Sequence, residues 1–194
     1  MSRNDLAASV RPSITRLVIA DVDNLVGDPA ANQDEHTRLW RIIRGEAIRF
    51  DEHTRTVAAA TSLSAMPAFC AMASEGVPAQ RLVRNGKDGA DLALLESVDI
   101  DHLVRCGLRE VVLATGDGIF TDLALAFRAR GIRVILLLGR GAPARRLLEA
   151  CPMKMRLRLD GRSSLWSPAA RRVRARTTSM INAAPRRRGS LVVA

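Results

Sequence analysis

Apolar runs alternate with amphipathic segments along the first 160 residues of the chain. Short apolar runs such as RLVIAD predict buried strands, and longer segments with apolar residues every three to four positions predict helices. The strands are predicted over 16–21, 55–62, 79–86, 110–117, 132–139 and, at an edge, 154–160. The helices are predicted over 32–50, 64–76, 88–107 with a break near Asp99, 120–131 and 142–150.

This alternation of strands and helices predicts an α/β domain built on a parallel sheet. The near-continuous apolar runs VVLA and VILLL are typical of strands that are buried on both faces. We expect this domain to cover residues 15–160, after a flexible N-terminal segment over 1–14. From about Asp160 the periodicity fails, and residues 161–194 are predicted to form a flexible arm.

Composition narrows the range of functions. Aromatic residues make up 3% of the chain, with no Tyr, which argues against a stacked-ring platform for bases. The three cysteines and three histidines do not cluster, so a zinc site is not expected. No apolar run reaches the ~18 residues of a membrane span, and the N-terminus has no signal-peptide pattern. We therefore expect a cytoplasmic protein without membrane association, and a homodimer is left open.

The net charge of +10 is concentrated at one end of the chain. Residues 1–150 carry 19 Lys and Arg against 19 Asp and Glu, whereas residues 151–194 carry 11 against one. A basic arm on a neutral domain is typical of a contact with a phosphate backbone. The alternative, a solvated tail without a specific partner, fits the composition equally well.

Carboxylates follow three of the predicted strands. Because parallel strands end at the same edge of a sheet, and ligands bind there, we expect these acids to converge. Converging carboxylates repel each other unless a cation such as Mg²⁺ or Mn²⁺ lies between them. Each acid taken alone could instead be a turn or helix-capping residue. The acids are Asp21, Asp23, Asp88, Asp91, Asp117 and Asp122.

Three stretches carry a family resemblance over roughly residues 15–140: IADVDN, GKDGADLAL and LATGDGIFTDLALAFRARGIRV. They resemble the NYN domain family of PIN-like, metal-dependent ribonucleases. Asp21 and Asn24 match its Asp-x-x-Asn signature after the first strand. A segment of the form K-x-x-x-D-x-x-L is matched by Lys87, Asp91 and Leu94. Its S-G-D-x-D-F element corresponds to the residues from Thr115 to Phe120.

The resemblance implies a three-layer α/β/α, Rossmann-like domain with a central parallel sheet in the order 3-2-1-4-5. It implies hydrolysis of single-stranded RNA with one or two Mg²⁺ or Mn²⁺ ions, by in-line attack of water without a covalent intermediate. The implied metal ligands are Asp21, Asp91, Asp117 and, as an outer ligand, Asp122. Asn24 and Thr115 would orient a water or phosphate. The backbone of the RNA would contact Lys87, Arg84, Arg171, Arg172, Arg174 and Arg176.

One position departs from the family pattern. The second Asp of S-G-D-x-D-F is Ile119 in this chain, which removes a common metal ligand. Asp122, one turn further on, is the acid that could replace it. A second hypothesis follows, in which the protein is an RNA-binding or regulatory module with weak or no catalysis.

A phosphatase is the third hypothesis, because DVDN also resembles the D-x-D of haloacid-dehalogenase-like phosphatases. Asp21 would then be the nucleophile and Asp23 the general acid/base. Asn24 fits that pattern poorly, Asp91 has no role in it, and residues 25–50 look like a loop and one helix rather than the required flap. The G-x-G of LGRGAP lies after the fifth strand, so it is a weak dinucleotide-binding motif.

Overall fold

A computed structural model describes residues 13–28, 30–158 and 165–166 of the 194-residue chain. Six strands of the described chain are parallel and form the sheet around which the helices pack. They are β1 (Arg16–Asp21), β2 (Thr54–Ala60), β3 (Gln80–Val83), β4 (Glu110–Ala114), β5 (Arg133–Leu138) and β6 (Met153–Arg156), and a short antiparallel strand, β7 (Leu165–Trp166), pairs with β6.

The sheet order is β3-β2-β1-β4-β5-β6-β7, which confirms the predicted order of the first five strands and the α/β class. β1 lies between β2 and β4, so the strand order reverses direction there. A crevice opens at such a switch point beyond the carboxyl ends of the strands. In the β1–β4 register Ala20 pairs with Ala114, which places Asp21 beside Thr115.

Helices connect the strands on both faces of the sheet. The helices are α1 (Val22–Val26), α2 (Gln33–Ile42), α3 (Ser62–Ser74), α4 (Gly89–Glu96), α5 (Ile100–Arg105), α6 (Thr121–Ala129) and α7 (Arg145–Ala150). A π-helical turn, Ile43–Ala47, extends α2, and a 3₁₀ turn, Gly118–Phe120, precedes α6. No described helix is both long and apolar enough to cross a membrane.

Two hydrophobic cores lie on opposite faces of the sheet. Alternation along β1 sends Val18 and Ala20 to the core under α1, α2 and α3, and Leu17 and Ile19 to the core under α4 to α7. Burial on both faces explains why the central strands β1, β4 and β5 are apolar almost throughout. The domain is therefore a three-layer α/β/α sandwich.

The boundaries differ from the sequence-based prediction in a few places. α1 was not predicted, since five residues are too few for a helical period to show. The helix predicted over 32–50 keeps its α-helical form only to Ile42, after a capping box formed by Asn32 and Glu35. The helical region over 88–107 breaks at Asp99, as expected, where the Asp99 side chain caps α5.

The predicted strand over 154–160 corresponds to β6, which is not an edge strand, because β7 pairs on its outer side. The predicted N-terminal segment over 1–14 and the arm over 161–194 lie mostly outside the described residues, so this division of the chain stays a prediction.

Candidate functional site at the carboxyl edge of the sheet

Asp21 is the centre of the candidate site. It ends β1 and begins α1, where its Oδ1 accepts a hydrogen bond from the Asn24 backbone N–H at 3.2 Å. Its Oδ2 accepts one from the Thr115 hydroxyl at 3.1 Å, and the residue is only 5% exposed. Burial, with the charge of nearby Asp91 as the second cause, raises the pKa of Asp21 to about 7.

Asp91 comes to the same place from α4. Burial is the first cause and the charge of Asp117 the second that raise the pKa of Asp91 to about 6. A hydrogen bond with the Asp21 carboxyl, in which the two groups share a proton, lowers this pKa in part. The Oδ1 atom of Asp91 is buried without a hydrogen-bond partner. A buried carboxylate oxygen without a donor is costly, and a cation is one group that would satisfy it.

Asp117 is held by the turn that follows β4. Its Oδ1 accepts a hydrogen bond from the Ile119 N–H at 2.9 Å, and its own N–H donates to the Thr115 hydroxyl at 3.1 Å. Thr115 is fully buried and thus links Asp21 to Asp117 through one hydroxyl group. The structure therefore brings Asp21, Asp91, Asp117 and Thr115 together, although they come from three parts of the chain.

Asn24 fixes a neighbouring loop. Its Oδ1 accepts a hydrogen bond from the Gly116 N–H at 2.7 Å, which also assigns the orientation of the amide. The Nδ2 group makes no hydrogen bond with another described residue and remains free to donate. A Cβ at Gly116 would lie 3.1 Å from Asn24 Oδ1, so glycine leaves room for this contact.

Asp23 has a structural role that the sequence did not reveal. Its Oδ2 accepts a hydrogen bond from the Thr61 N–H at 2.9 Å, and its Oδ1 accepts one from the Ser64 hydroxyl. These bonds satisfy donors at the start of α3, where Thr61 provides no side-chain cap of its own. Asp23 therefore joins α1 to α3, whereas Asp21 faces the acidic site.

The other predicted site residues lie further out. Asp122 is exposed in the first turn of α6 and makes no hydrogen bond or ion pair with a described residue. Lys87 is exposed in the turn before α4, and Arg84 forms an ion pair with Glu96 at 2.8 Å. Arg171, Arg172, Arg174 and Arg176 lie outside the described residues, so their predicted contact with RNA stays a prediction.

The donor set suits a hard, oxygen-preferring cation. Among the residues that the structure describes, no three His, Cys, Asp or Glu side chains form a ready metal-binding group. Mg²⁺ commonly uses only one or two carboxylates and completes its coordination with water and substrate phosphates. The Asp21–Asp91 pair, with its unpartnered oxygen, fits that pattern.

A parallel α/β/α domain with acids at its topological switch point is consistent with a PIN-like domain. The comparisons make this specific, since a family model described as NYN domain matches residues 16–156. The chain belongs to the NYN domain family, which implies a nuclease or another RNA-related function. Comparison with curated proteins gives no match.

Membership of the NYN family favours the nuclease hypothesis over the phosphatase hypothesis. The described residues between β1 and β2 form α1, α2 and the π-helical turn, without the β-hairpin flap that the phosphatase hypothesis requires. Ile119, at the position of the missing acid, packs against the core below α6. At the position where the family pattern has an acid, this chain therefore makes an apolar packing contact and offers no metal ligand.

Proposed function

We propose that the protein is a Mg²⁺- or Mn²⁺-dependent endoribonuclease that hydrolyses phosphodiester bonds in single-stranded RNA. The observation that carries the proposal is the pair of buried Asp21 and half-buried Asp91, whose pKa values are raised first by burial and then by neighbouring carboxylates. Its position at the switch point of an NYN domain supports a reaction on a phosphate ester.

Asp21 and Asp91 would hold the cation directly, and Asp117, whose charge acts on Asp91, is the third proposed ligand. When bound, the cation would supply positive charge to the scissile phosphate and make water a better nucleophile at neutral pH. Neutral carboxyl groups are poor ligands, so Asp21 and Asp91 must lose their protons to take part. Their raised pKa values mean that this loss, and hence cation binding, is promoted as the pH rises through 6 and 7.

The surrounding side chains orient the carboxylates and the substrate. Thr115 donates a hydrogen bond to Asp21 Oδ2, while the Asn24 N–H donates to Oδ1, so the orientation of that carboxylate is fixed. The free Nδ2 group of Asn24 can donate to a phosphate oxygen or to the attacking water. Attack in line with the leaving oxygen needs no nucleophilic side chain, so no covalent intermediate forms.

A second candidate function is RNA binding with little or no catalysis. The observation that favours it is Ile119, which replaces an acid by a side chain packed on the core. Asp122 is the nearest following acid in sequence, and its role as an outer ligand is part of the proposal rather than of the described contacts. Both candidates share RNA as the partner, with Lys87, Arg84 and the C-terminal arginines as its contacts.

Cleavage of a labelled single-stranded RNA tests the proposal. Wild-type protein should cleave with Mn²⁺ and not with EDTA, and Asp91→Asn and Asp117→Asn should lose at least about 100-fold of the rate, since each removes charge at the reacting centre. Asp101→Asn is the matched control, because Asp101 is an exposed acid paired with Arg130. Asp122→Asn shows whether the exposed acid contributes.

The outcomes separate the hypotheses. If wild-type protein cleaves and the substitutions at Asp91 and Asp117 leave the rate unchanged, the acidic site is not the active site. RNA binding without cleavage would establish the second candidate. Hydrolysis of a phosphomonoester with a trapped aspartyl adduct at Asp21 would instead point to the phosphatase.

A further inference from the structure

The loop between β5 and α7 closes one side of the acidic site. The Ala144 N–H donates to the Gly116 carbonyl at 2.9 Å, and the Arg140 N–H donates to the Leu25 carbonyl at 3.1 Å. Both contacts join this loop to segments that follow β1 and β4. The loop is thus held at the carboxyl edge of the sheet, although neither its residues nor those of α7 belong to the acidic cluster.

Arg146, in the first turn of α7, reaches the turn that carries Asp117. A Cβ built on Gly118 would lie 2.8 Å from Arg146 Nε and 3.0 Å from the Ala144 Cβ. The backbone of Gly118 has no left-handed φ, so conformational freedom is not the reason for a glycine there. Glycine instead leaves the space in which the arginine side chain packs, one residue after Asp117.

The charge of Arg146 is not used within the described part of the chain. The neighbouring arginines are paired: Arg140 with Glu35 at 3.4 Å and Arg145 with Glu149 at 2.8 Å. Arg146 makes no hydrogen bond or ion pair with a described residue, even though it packs beside the turn of Asp117. An exposed guanidinium held in place without a partner can receive an anionic group bidentately.

Lys87 lies on the opposite side of the acids. It follows β3, whereas Arg146 follows β5, and in the sheet β3 and β5 lie on opposite sides of β2, β1 and β4, with Asp21 at the end of β1 and Asp117 in the turn after β4. A polyanion crossing the carboxyl ends of the strands would thus meet a cation on each side of the acidic cluster. Of the two, Arg146 is the one whose side chain is positioned by a contact with the site.

We propose that Arg146 binds a backbone phosphate of single-stranded RNA next to the acidic site, positioned by its packing on Gly118. This inference rests on the proposed function and deepens it, because it names the residue that holds the substrate beside the Asp117 turn. A planar guanidinium offers two parallel N–H donors to one phosphate, whereas a lysine offers a single point charge.

Binding of a short fluorescent single-stranded RNA, measured by anisotropy in EDTA over a range of salt concentrations, tests the inference without any cleavage. One phosphate contact to a single strand contributes about 0.7 to the slope of log K against log salt, which corresponds to about fivefold in affinity between 1 M and 0.1 M salt. Arg146→Ala should therefore lose about fivefold in affinity at 0.1 M salt and about 0.7 of the slope. Arg146→Lys should recover the slope and only part of the affinity.

Arg145→Ala is the matched control, because it removes the same charge from the adjacent residue, whose side chain is 92% exposed and paired with Glu149. Equal losses for Arg145→Ala and Arg146→Ala would overturn the assignment and leave the nuclease proposal intact. Gly118→Ala should weaken binding only when Arg146 is present, so a loss that persists in the Arg146→Ala background would also overturn it. If the wild-type protein fails to bind RNA at every salt concentration tested, the proposed function is overturned as well.

Discussion

Replacing Asp91 by Asn should stabilise the metal-free protein at high pH and abolish its stabilisation by Mn²⁺. In the wild type, Asp21 and Asp91 repel each other once both are ionised. An asparagine at position 91 has nearly the same shape, carries no charge, and can donate a hydrogen bond to Asp21. The substitution thus removes the repulsion and one cation ligand together, so its effect on stability should change sign when the metal is added.

The size of the effect follows from the pKa of Asp21, which is about 7 against 3.8 for the free side chain. One pKa unit corresponds to about 1.4 kcal/mol, so ionising Asp21 costs about 4 kcal/mol more in the folded than in the unfolded protein. Burial is the largest cause and the charge of Asp91 the second, so Asp91→Asn should recover part of this cost at high pH. For a domain of this size each 1 kcal/mol recovered corresponds to about 2–4 °C in Tm.

The pH dependence has a definite sign. Folding raises both pKa values, so between about pH 4 and pH 7 the folded protein binds more protons than the unfolded chain. The free energy of unfolding contributed by this pair is fully present below pH 4 and is lost as the pH rises through 6 and 7. Wild type and Asp91→Asn should therefore differ little at pH 4 and most at pH 8.

Thermal unfolding at pH 4 and pH 8, with EDTA or with Mn²⁺, measures these differences. At a Mn²⁺ concentration 100 times its Kd, binding adds about 2.7 kcal/mol, or about 5–10 °C in Tm, to the wild type. Asp91→Asn should gain little, whereas Asp101→Asn should respond like the wild type. An Asp91→Asn protein that is less stable than the wild type in EDTA at pH 8 would refute the repulsion between Asp21 and Asp91.

Three further substitutions test the surrounding structure. Gly139→Ala should cost at least about 3 kcal/mol in urea unfolding, because its Cβ would lie 1.9 Å from the Leu25 carbonyl oxygen; a cost below about 1 kcal/mol would contradict that packing. Thr115→Val should lower RNA cleavage by about 10- to 100-fold while the circular dichroism spectrum is kept, since Asp21 loses its donor. Asp23→Ala should cost about 1–3 kcal/mol in stability, because Asp23 accepts hydrogen bonds from the start of α3. It should leave Mn²⁺ binding unchanged, and a loss of Mn²⁺ binding would place Asp23 in the metal site.

The acids at the strand ends show how much of the site could be predicted from the sequence. The apolar run before Asp21 identified a buried strand, and the residues after it had to lie at the edge of the sheet. The same reasoning placed Asp117 after β4. Because both signals are local, a run of apolar residues followed by polar ones, they can be read without knowledge of the strand pairing.

The glycines of LGRGAP show a motif that sequence alone could not interpret. The G-x-G is only a weak dinucleotide-binding motif, and the sequence offers no other reason for its glycines. In the structure, Gly139 is needed for its close approach to the Leu25 carbonyl, and Gly141 lies against Asn24. These contacts join the loop after β5 to the segment after β1. No local sequence pattern indicates a contact between segments that are so far apart along the chain.

Hydrophobic period and turn chemistry are properties of neighbouring residues, so the alternation of strands and helices, the α/β class and the acids at the strand ends could be predicted from the sequence. Which of those acids lie together depends on strand pairing and side-chain direction. Strand register brings Thr115 to Asp21 across 94 residues, and Asp23, two positions away, turns instead to the start of α3. Adjacent carboxylates differ in role because side-chain direction and long-range pairing, rather than position in the sequence, set their partners.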